Sequence, residues 1–556
     1  MTTVLRFVPA ARERRGYIAL VLLLYSSLSL FHLGFADLDS DEGRFGISAL
    51  NILADLRQLA IVSQRPLGEA GTLPYMYPLA LAASVAVFGK SELSIRLVNV
   101  IAVLAGAILF SRTVRMIWPD SRAGLIVFGA FLLNAGTIVY ARTAIPDTLV
   151  VPFGCAALFA AAKASSRRSL PWGIVCGVAL GAAFLVKLWL VFPFVLACGL
   201  LVVVRRSPDA PGISRWLLPA AAVASFLVVS GSHLLIVRVM APDLWLHWLN
   251  VYFGFTLTSR FAGDGYDPGL WYRPWWFYLA ALFKASFFGL PVVLLGSFEL
   301  VRTRQKTMLL LIAPLLSPAV LFSFLRVKQA TYIYPTFLAV VTLLAVGLPT
   351  LLESWPLATL LLVSALSTVA ALLALAAHVI TPIECLLVCG LYGLYIVCAV
   401  AAARHRRLAQ ISAVAALVAA MFYPCVKVVR QTLLHRTYFH EIAAHFEPAL
   451  QATRPTDTVF TAPEAPAMEF YTYRHGVYWD TFRYHQSYQD FIMELRCASK
   501  LFYVVDRGGR LYGGQAPPDK VAQLELHAVD VTPSIQRSIG RAPGVRVFTP
   551  LGPTCR

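Results

Sequence analysis

Hydrophobic and polar positions divide the chain into two unequal parts. Over about 430 residues, long apolar runs alternate with short polar loops. The runs lie at 17–35, 95–117, 123–140, 147–164, 170–187, 188–204, 216–240, 274–300, 307–325, 331–351, 356–380, 383–403 and 410–429. Each approaches the roughly 17–25 residues that carry a helix across about 30 Å of hydrocarbon. Thirteen membrane helices are therefore expected. No small-residue cleavage site closes the first run, so it reads as an uncleaved helix. The runs 170–187 and 188–204 must turn at Lys187 almost without a loop.

One apolar stretch, 74–89, is short and carries Pro74 and Pro78. If it does not span, the N-terminus and the clusters Arg112/Arg115/Arg122, Lys163/Arg167/Arg168, Arg205/Arg206/Arg215, Arg302/Arg304/Lys306 and Arg404/Arg406/Arg407 share one side. If it spans, every later cluster moves away from the basic N-terminus. The excess of Lys and Arg in cytoplasmic loops selects the first arrangement. The stretch is expected at the interface, with the N-terminus cytoplasmic and the tail outside.

Two long outer loops follow from this topology, 36–94 and 241–273, and a polar tail occupies 431–556. Within the tail, strand-like runs at 458–461, 501–505 and 545–548 alternate with helix-like runs at 438–451 and 489–497, which predicts a small α/β domain. The expected architecture is an α-helical polytopic membrane domain, 1–430, followed by an α/β domain, 431–556. No internal repeat or low-complexity segment is visible.

Composition agrees. The 556 residues are 58% hydrophobic and 14% charged, against roughly 45–50% and about 25% in soluble proteins, and the mean hydropathy is +0.69. Disorder, collagen-like repeats and a disulfide scaffold are excluded. The net charge of +18 does not point to nucleic acid, because the tail from Gln431 carries 13 Lys/Arg against 12 Asp/Glu. The excess sits in membrane loops. Seven of nine cysteines lie in apolar runs as small hydrophobes; Cys497 and Cys555 lie in the tail, and whether they pair is open.

The first outer loop opens Asp37-Leu38-Asp39-Ser40-Asp41-Glu42-Gly43-Arg44. Four acids in six residues repel one another. Three readings are open: a solvated acidic loop, a calcium loop outside the EF-hand pattern, or a general base at the membrane surface. Asp147 follows Pro146 at a helix start, where a carboxylate also serves as a cap. Lys187, between apolar runs, marks a functional position or snorkels to the interface. Arg326 and Lys328 fall in a short outer loop, against the positive-inside trend. Trp245, Trp248, Tyr252, Trp271, Tyr272, Trp275, Trp276 and Tyr278 crowd the outer loops, as sugar-stacking rings or as an interfacial belt.

Five motifs in order carry a family resemblance. They are Asp41-Glu42-Gly43-Arg44-Phe45 with Ile47; Phe88-Gly89-x-Ser91-Glu92-x-x-x-Arg96-Leu97; 141–149 with Asp147; Leu185-Val186-Lys187; and Lys328-x-x-x-Tyr332-x-x-Pro335. Together they resemble bacterial GT-C glycosyltransferases of the protein-mannosyltransferase-like group, with the lipid A aminoarabinose transferases nearest in pattern. The resemblance covers about residues 17–350 well and the tail in outline. It implies a bacterial inner-membrane enzyme that takes a sugar from a polyprenyl-phosphate donor to an extracytoplasmic lipid, glycolipid or protein acceptor, normally with inversion.

On that implication, Asp41 activates or orients the acceptor, with Glu42 as a supporting acid, and Asp147 is a second catalytic carboxylate. Arg44, Lys187, Arg260, Arg326, Lys328 and Tyr332 bind donor phosphate or substrate. No metal ligand or cofactor is indicated, although a divalent ion is compatible, and no nucleic-acid partner is expected. The tail segment 468–471 with Tyr473 is expected to face the membrane domain as a lid. The sequence departs from the aminoarabinose pattern at Met76-Tyr77-Pro78, where those enzymes carry Glu-Lys-Pro. It departs again at Trp271-Tyr272-Arg273, where their histidine has no counterpart, and at 251–259, where the acid before Arg260-Phe261 is missing. These changes imply different contacts to the donor. A transporter is the rival class, disfavoured by the missing repeat and by charged residues gathered at one face.

Overall fold

The computed structural model describes residues 11–36, 38–67, 74–119, 122–167, 169–204, 216–250, 274–286, 290–303, 305–325, 329–353, scattered positions from 367 to 397, 424–430, 439–462, 465–478, 496, 500–506, 518–539 and 545–551. Helix α1 is Ala11–Leu30, followed by α2 (Ser40–Ala54), α3 (Gln58–Ile61) and α4 (Met76–Phe88). The bundle continues through α5 (Glu92–Ile117), α6 (Ala123–Leu132), α7 (Ala135–Arg142), α8 (Pro146–Arg167), α9 (Leu170–Val186), α10 (Phe192–Val204) and α11 (Leu217–Met240). Later helices include Phe277–Ser286, Leu290–Arg302, Lys306–Leu321 and Tyr334–Glu353.

Among the described residues, five helices are long and apolar enough to cross a membrane, or six if α6 and α7 form one bent span. This is a multi-pass helical membrane architecture. The runs 356–380, 383–403 and 410–429 lie largely outside the described residues. Helix α4 has 13 residues, about 20 Å at 1.5 Å per residue, short of the roughly 30 Å hydrocarbon core.

Several boundaries differ from expectation. Helix α1 ends at Leu30 rather than 35, where the Arg142 guanidinium takes the carbonyls of Leu28, Ser29 and Phe31 at 3.0, 3.2 and 2.9 Å. A cation on orphan carbonyls at a helix C-terminus is favourable. The run 123–140 is broken by 54° between α6 and α7, because Asn134 turns its side chain onto the amides of Gly136 and Thr137 and starts a new helix. The run 188–204 opens with a 3₁₀ turn, Leu188–Val191, before α10. The run 274–300 contains two described helices, with 287–289 outside the described residues.

Helices α9 and α11 pack closely because Gly173, Gly177 and Gly181 line one face of α9. A side chain at Gly177 would strike the Ala222 carbonyl and the Ser225 hydroxyl, and one at Gly181 would strike Val229. Small residues in steps of four let membrane helices approach where apolar burial offers no drive. Only 11% of the most apolar window of α11 is buried against protein, compared with 89% for Thr331–Leu348. The first is largely uncovered by protein and the second is largely enclosed by it.

The tail carries a five-stranded sheet ordered β2-β1-β3-β5-β4. Its strands are β1 (Thr458–Ala462), β2 (His475–Tyr478), β3 (Phe502–Asp506), β4 (Ala528–Asp530) and β5 (Val545–Pro550). β1 is parallel to β2 and β3, and β5 is antiparallel to β3 and β4. The helix Ala465–Thr472 crosses between β1 and β2, and Phe446 and Phe460 stack on Phe502. Three of these strands match the expected runs; the short β2 and β4 were not anticipated. The run 438–451 forms the helix Phe439–Leu450, whereas 489–497 and both tail cysteines lie outside the described residues except for helical Arg496.

Gly177→Val should lower the melting temperature of the purified protein by several degrees, the consequence of an overpacking cost of about 1–3 kcal/mol. Gly199→Ala, where an added Cβ meets nothing within 4 Å, should leave it unchanged.

Candidate active site

Helix α2 starts one residue after Asp39. The Asp39 carboxylate accepts the Glu42 amide at 2.8 Å, and the Glu42 carboxylate accepts the Asp39 amide at 3.1 Å, a reciprocal cap. Glu42 does more than cap. Its two oxygens receive Nε and Nη2 of Arg96 on α5 at 2.8 and 2.6 Å, and Oε1 also takes the Ala144 amide at 2.7 Å. The remaining Arg96 nitrogen, Nη1, donates to the carbonyls of Leu33 and Ala36 at 3.0 and 2.6 Å. Both side chains are almost fully buried, at 4% and 1% exposure. A paired, fully bonded buried charge is tolerable, and losing one partner is costly.

This cluster fastens three pieces of chain: the segment after α1, the start of α2, and the turn between α7 and α8. A second clamp adds to it. Asn99 on α5 donates to the carbonyls of Thr143 and Ile145 in the same turn and accepts the Tyr77 hydroxyl at 3.4 Å. The turn leads directly into α8, with Asp147 in its first turn. The starts of α2 and α8, each bearing a carboxylate beyond the clamp, are thus brought to one end of the bundle.

Asp41 points outward, 58% exposed, with Arg44 at 3.7 Å and 39% exposed. That contact is long and solvent-exposed, and counts for little in itself; both side chains reach the surface. Asp147 is buried, and its Oδ2 receives Lys187 Nζ at 2.7 Å. Its Oδ1 is buried without a hydrogen-bond partner among the described residues. Lys187 Nζ also lies 5.2 Å from the centre of the Tyr332 ring, against which Phe322 and Trp189 pack edge-on. Asp147, Lys187 and Tyr332 are therefore one assembly. Lys187, expected to bind donor phosphate or substrate, is paired with the aspartate.

Glu42, expected as a supporting acid, is occupied by Arg96 and Ala144 and positions its neighbours. Arg260, Arg326 and Lys328 lie outside the described residues. Among the described residues, no group of three or more His, Cys, Asp or Glu is placed to hold a metal ion. Of the aromatics expected in the outer loops, Trp275 is exposed at 68%, while Tyr278 is buried.

The tail covers α2 as expected for 468–471 and Tyr473. A side chain at Gly43 would strike the backbone of Pro466 and Ala467, and one at Gly46 the Phe470 ring. The Tyr471 hydroxyl accepts the Leu38 amide and donates to Glu92 Oε1, both at 3.0 Å, and Lys90 Nζ donates to the Tyr471 carbonyl at 2.8 Å. Burial pulls Lys90 down to about 8, opposed by Glu447. The Tyr473 hydroxyl donates to Asn51 Oδ1 at 2.9 Å, and His475 Nε2 meets the Pro66 carbonyl at 2.8 Å. Sequence reading missed Asn51, Asn99 and the part played by Glu469. Asn99 had a signal, an amide in an otherwise apolar helix that must find partners.

A family model described as dolichyl-phosphate-mannose-protein mannosyltransferase matches residues 72–231. An undecaprenyl phosphate-alpha-4-amino-4-deoxy-L-arabinose arabinosyl transferase of Pseudomonas aeruginosa is 32% identical over 275 residues, 48% of this chain and 47% of that protein. A Pseudomonas fluorescens relative of the same description is 30% identical over 280 residues, 48% of this chain and 45% of that protein. The chain matches about half the length of these curated relatives. The crystal structure of ArnT from Cupriavidus metallidurans bound to undecaprenyl phosphate superposes with a TM-score of 0.64 at 17% identity, covering 97% of this chain and 98% of that one. Its apo form gives 0.65 at 16%, covering 96% and 97%. The chain thus resembles GT-C glycosyltransferases of the aminoarabinose-transferase type, in sequence over about half its length and in fold over nearly all of it.

Two outcomes test the site's framework. Arg96→Met or Glu42→Gln alone should destabilise the protein by about 3–5 kcal/mol, whereas Arg96→Met combined with Glu42→Met should recover much of the loss, measured by thermal unfolding in detergent. Burial also pushes the Glu469 carboxyl from its ordinary 4.5 up to about 7, opposed by the Gly476 amide, Arg65 and Arg44. The folded protein then binds the extra proton between those two values. That contribution favours the fold in acid and is lost as pH rises through about 7. Wild type should melt lower at about pH 8 than at about pH 6, and Glu469→Gln should reduce the difference.

Proposed function

We propose that this protein is a bacterial inner-membrane glycosyltransferase that moves a sugar from an undecaprenyl-phosphate donor to an extracytoplasmic acceptor, lipid A or another envelope glycolipid. The observation that carries this reading is the juxtaposition of two helix starts, with Asp41 exposed on one and the Asp147–Lys187 pair on the other, locked by Arg96–Glu42 and Asn99. The substrate for which the relatives are named, an undecaprenyl phosphate-linked sugar, supports the donor class.

The chemistry is displacement at the anomeric carbon. An acceptor oxygen forms the new bond while the bond to the lipid phosphate breaks, and the phosphate leaves with the electron pair. Asp41 orients a hydroxyl acceptor and takes its proton. Arg44 offsets charge on the leaving phosphate, with Arg260, Arg326 and Lys328 as further candidate cations. Asp147, with one carboxylate oxygen uncommitted, accepts a hydrogen bond from the sugar, while Lys187 holds that carboxylate in place and Tyr332 walls the pocket. The tail over α2 helps to exclude water.

The topology belongs to the same proposal: thirteen helices, a cytoplasmic N-terminus, α4 lying in the interface and the tail, 431–556, in the periplasm. It is supported by the positive charge in alternate loops and by the shortness of α4. Protein hydroxyls are the second acceptor reading, favoured by the mannosyltransferase family match across 72–231.

Purified protein supplied with radiolabelled undecaprenyl-phosphate sugar and lipid A or a peptide acceptor tests activity and acceptor together. Asp41→Asn should lower transfer by about 10²–10⁴ if the acceptor is a hydroxyl. If the acceptor is a lipid A phosphate, already largely ionised near neutrality with a second pKa of about 6, the residual rate should depend less on pH. Full activity of Asp41→Asn together with full activity of Glu42→Gln would refute the assignment. Lys187→Ala should cost roughly ten- to a hundred-fold, as expected for a charged hydrogen bond of about 1.5–3 kcal/mol. In a cysteine-free background, single cysteines at Ser40, Gly263 and Gly508 should react with impermeant thiol reagent in whole cells, and one at Ser166 should not. The opposite pattern would overturn the topology.

A further inference from the structure

The seam between the tail and the first outer loop holds a buried carboxylate that the proposed reaction does not use. Glu469, 3% exposed, lies on the helix Ala465–Thr472 and accepts the Gly476 amide on Oε1 at 2.8 Å. That helix rests on α2 so closely that Gly43 faces Pro466 and Ala467 while Gly46 faces Phe470. Arg44 falls between the two glycines. Arg65 sits on a segment pinned to the same seam, with its carbonyl on Asn51 Nδ2 at 2.7 Å and Asn51 in turn bonded by Tyr473.

Arg65 and Arg44 are the charges that act on Glu469. The other charged or titratable groups on the elements packed around it are Asp39, Asp41 and Glu42 at the start of α2, Lys90 and Glu92 before and at the start of α5, His440, Glu441, His445 and Glu447 on Phe439–Leu450, Tyr471 and Tyr473 beside it, and Arg474 and His475 at β2. Lys90 donates to the Tyr471 carbonyl and Glu92 accepts the Tyr471 hydroxyl. Glu42 is matched by Arg96, Arg474 bonds Thr453 and the Leu450 carbonyl, and His475 meets the Pro66 carbonyl.

We propose that Glu469 is a proton-linked counter-charge to the phosphate site: when ionised it offsets Arg44 and Arg65 and weakens their hold on lipid phosphate, and when protonated it releases them to bind it. The inference rests on the reading of Arg44 as a phosphate ligand. Glu469 acts through the arginines and is a positioning residue. Transfer converts a phosphodiester with one negative charge into a phosphomonoester carrying up to about two. An ionised Glu469 repels the product more than the donor and favours release of the spent carrier. Linkage is reciprocal, so phosphate entering beside Arg44 must draw a proton onto Glu469 to the same degree. Burial sets that protonation near neutrality, where the device can operate.

The probe is undecaprenyl phosphate, titrated into the full-length protein in detergent at about pH 6 and about pH 8. Glu469→Gln keeps an acceptor for the Gly476 amide and removes the charge. It should bind the lipid roughly five- to thirty-fold more tightly than wild type at the higher pH and within about twofold at the lower, the scale of one unit charge acting through partly solvated protein. Arg44→Ala should shrink that difference. Equal affinities of Glu469→Gln and wild type at both pH values would overturn the counter-charge while leaving the proposed function standing. No binding of undecaprenyl phosphate by wild type at either pH would remove the proposed function and this inference with it.

Discussion

The Arg96–Glu42 pair is the constraint on which the candidate site depends. One guanidinium and one carboxylate, both buried, close six polar contacts among four chain segments. Two are the paired bonds between them, and the others go to Leu33, Ala36, Asp39 and Ala144. Each of those segments has backbone groups that must be satisfied at the edge of an apolar bundle, where no regular helix can satisfy them. The pair does so and fixes where α2 and α8 begin. Asp41 and Asp147 inherit their places from it.

The same economy recurs where the tail meets the bundle. Gly43 and Gly46 let one helix of the tail lie directly on α2, and Tyr471, Tyr473, Lys90 and His475 bond across the seam. A polar junction of this kind can hold the tail in register while remaining sensitive to charge. Arg44 is one residue from the tighter of the two glycine contacts at the seam. Packing, electrostatics and access to substrate therefore meet at a single turn of α2.

Much of this was legible in the sequence. Apolar run length gave the bundle, and the tail's alternating runs gave β1, β3 and β5. Of the motif residues, Glu42 and Arg96 pair, and Asp147 and Lys187, forty residues apart, do meet. What remained hidden depended on partners distant in sequence. Nothing local distinguishes Glu42 from Asp41, yet Arg96 buries one and leaves the other in solvent. The break at Asn134 and the early end of α1 at Leu30 were likewise invisible to hydropathy, because one depends on a side-chain cap and the other on Arg142 from another helix. The strands β2 and β4, of four and three residues, are too short to show a period of two. Glu469 read as part of a lid because its burial and its arginine neighbours exist only after docking.

The central claim is that the locked starts of α2 and α8 form a lipid-phosphate transfer site. An experimental structure with undecaprenyl phosphate bound tests it most directly. The account predicts the phosphate within hydrogen-bonding reach of Arg44, between the exposed Asp41 and the Asp147–Lys187 pair, with Glu42 still held by Arg96. A phosphate bound elsewhere on the bundle, with Asp41 and Arg44 facing only solvent, would contradict it.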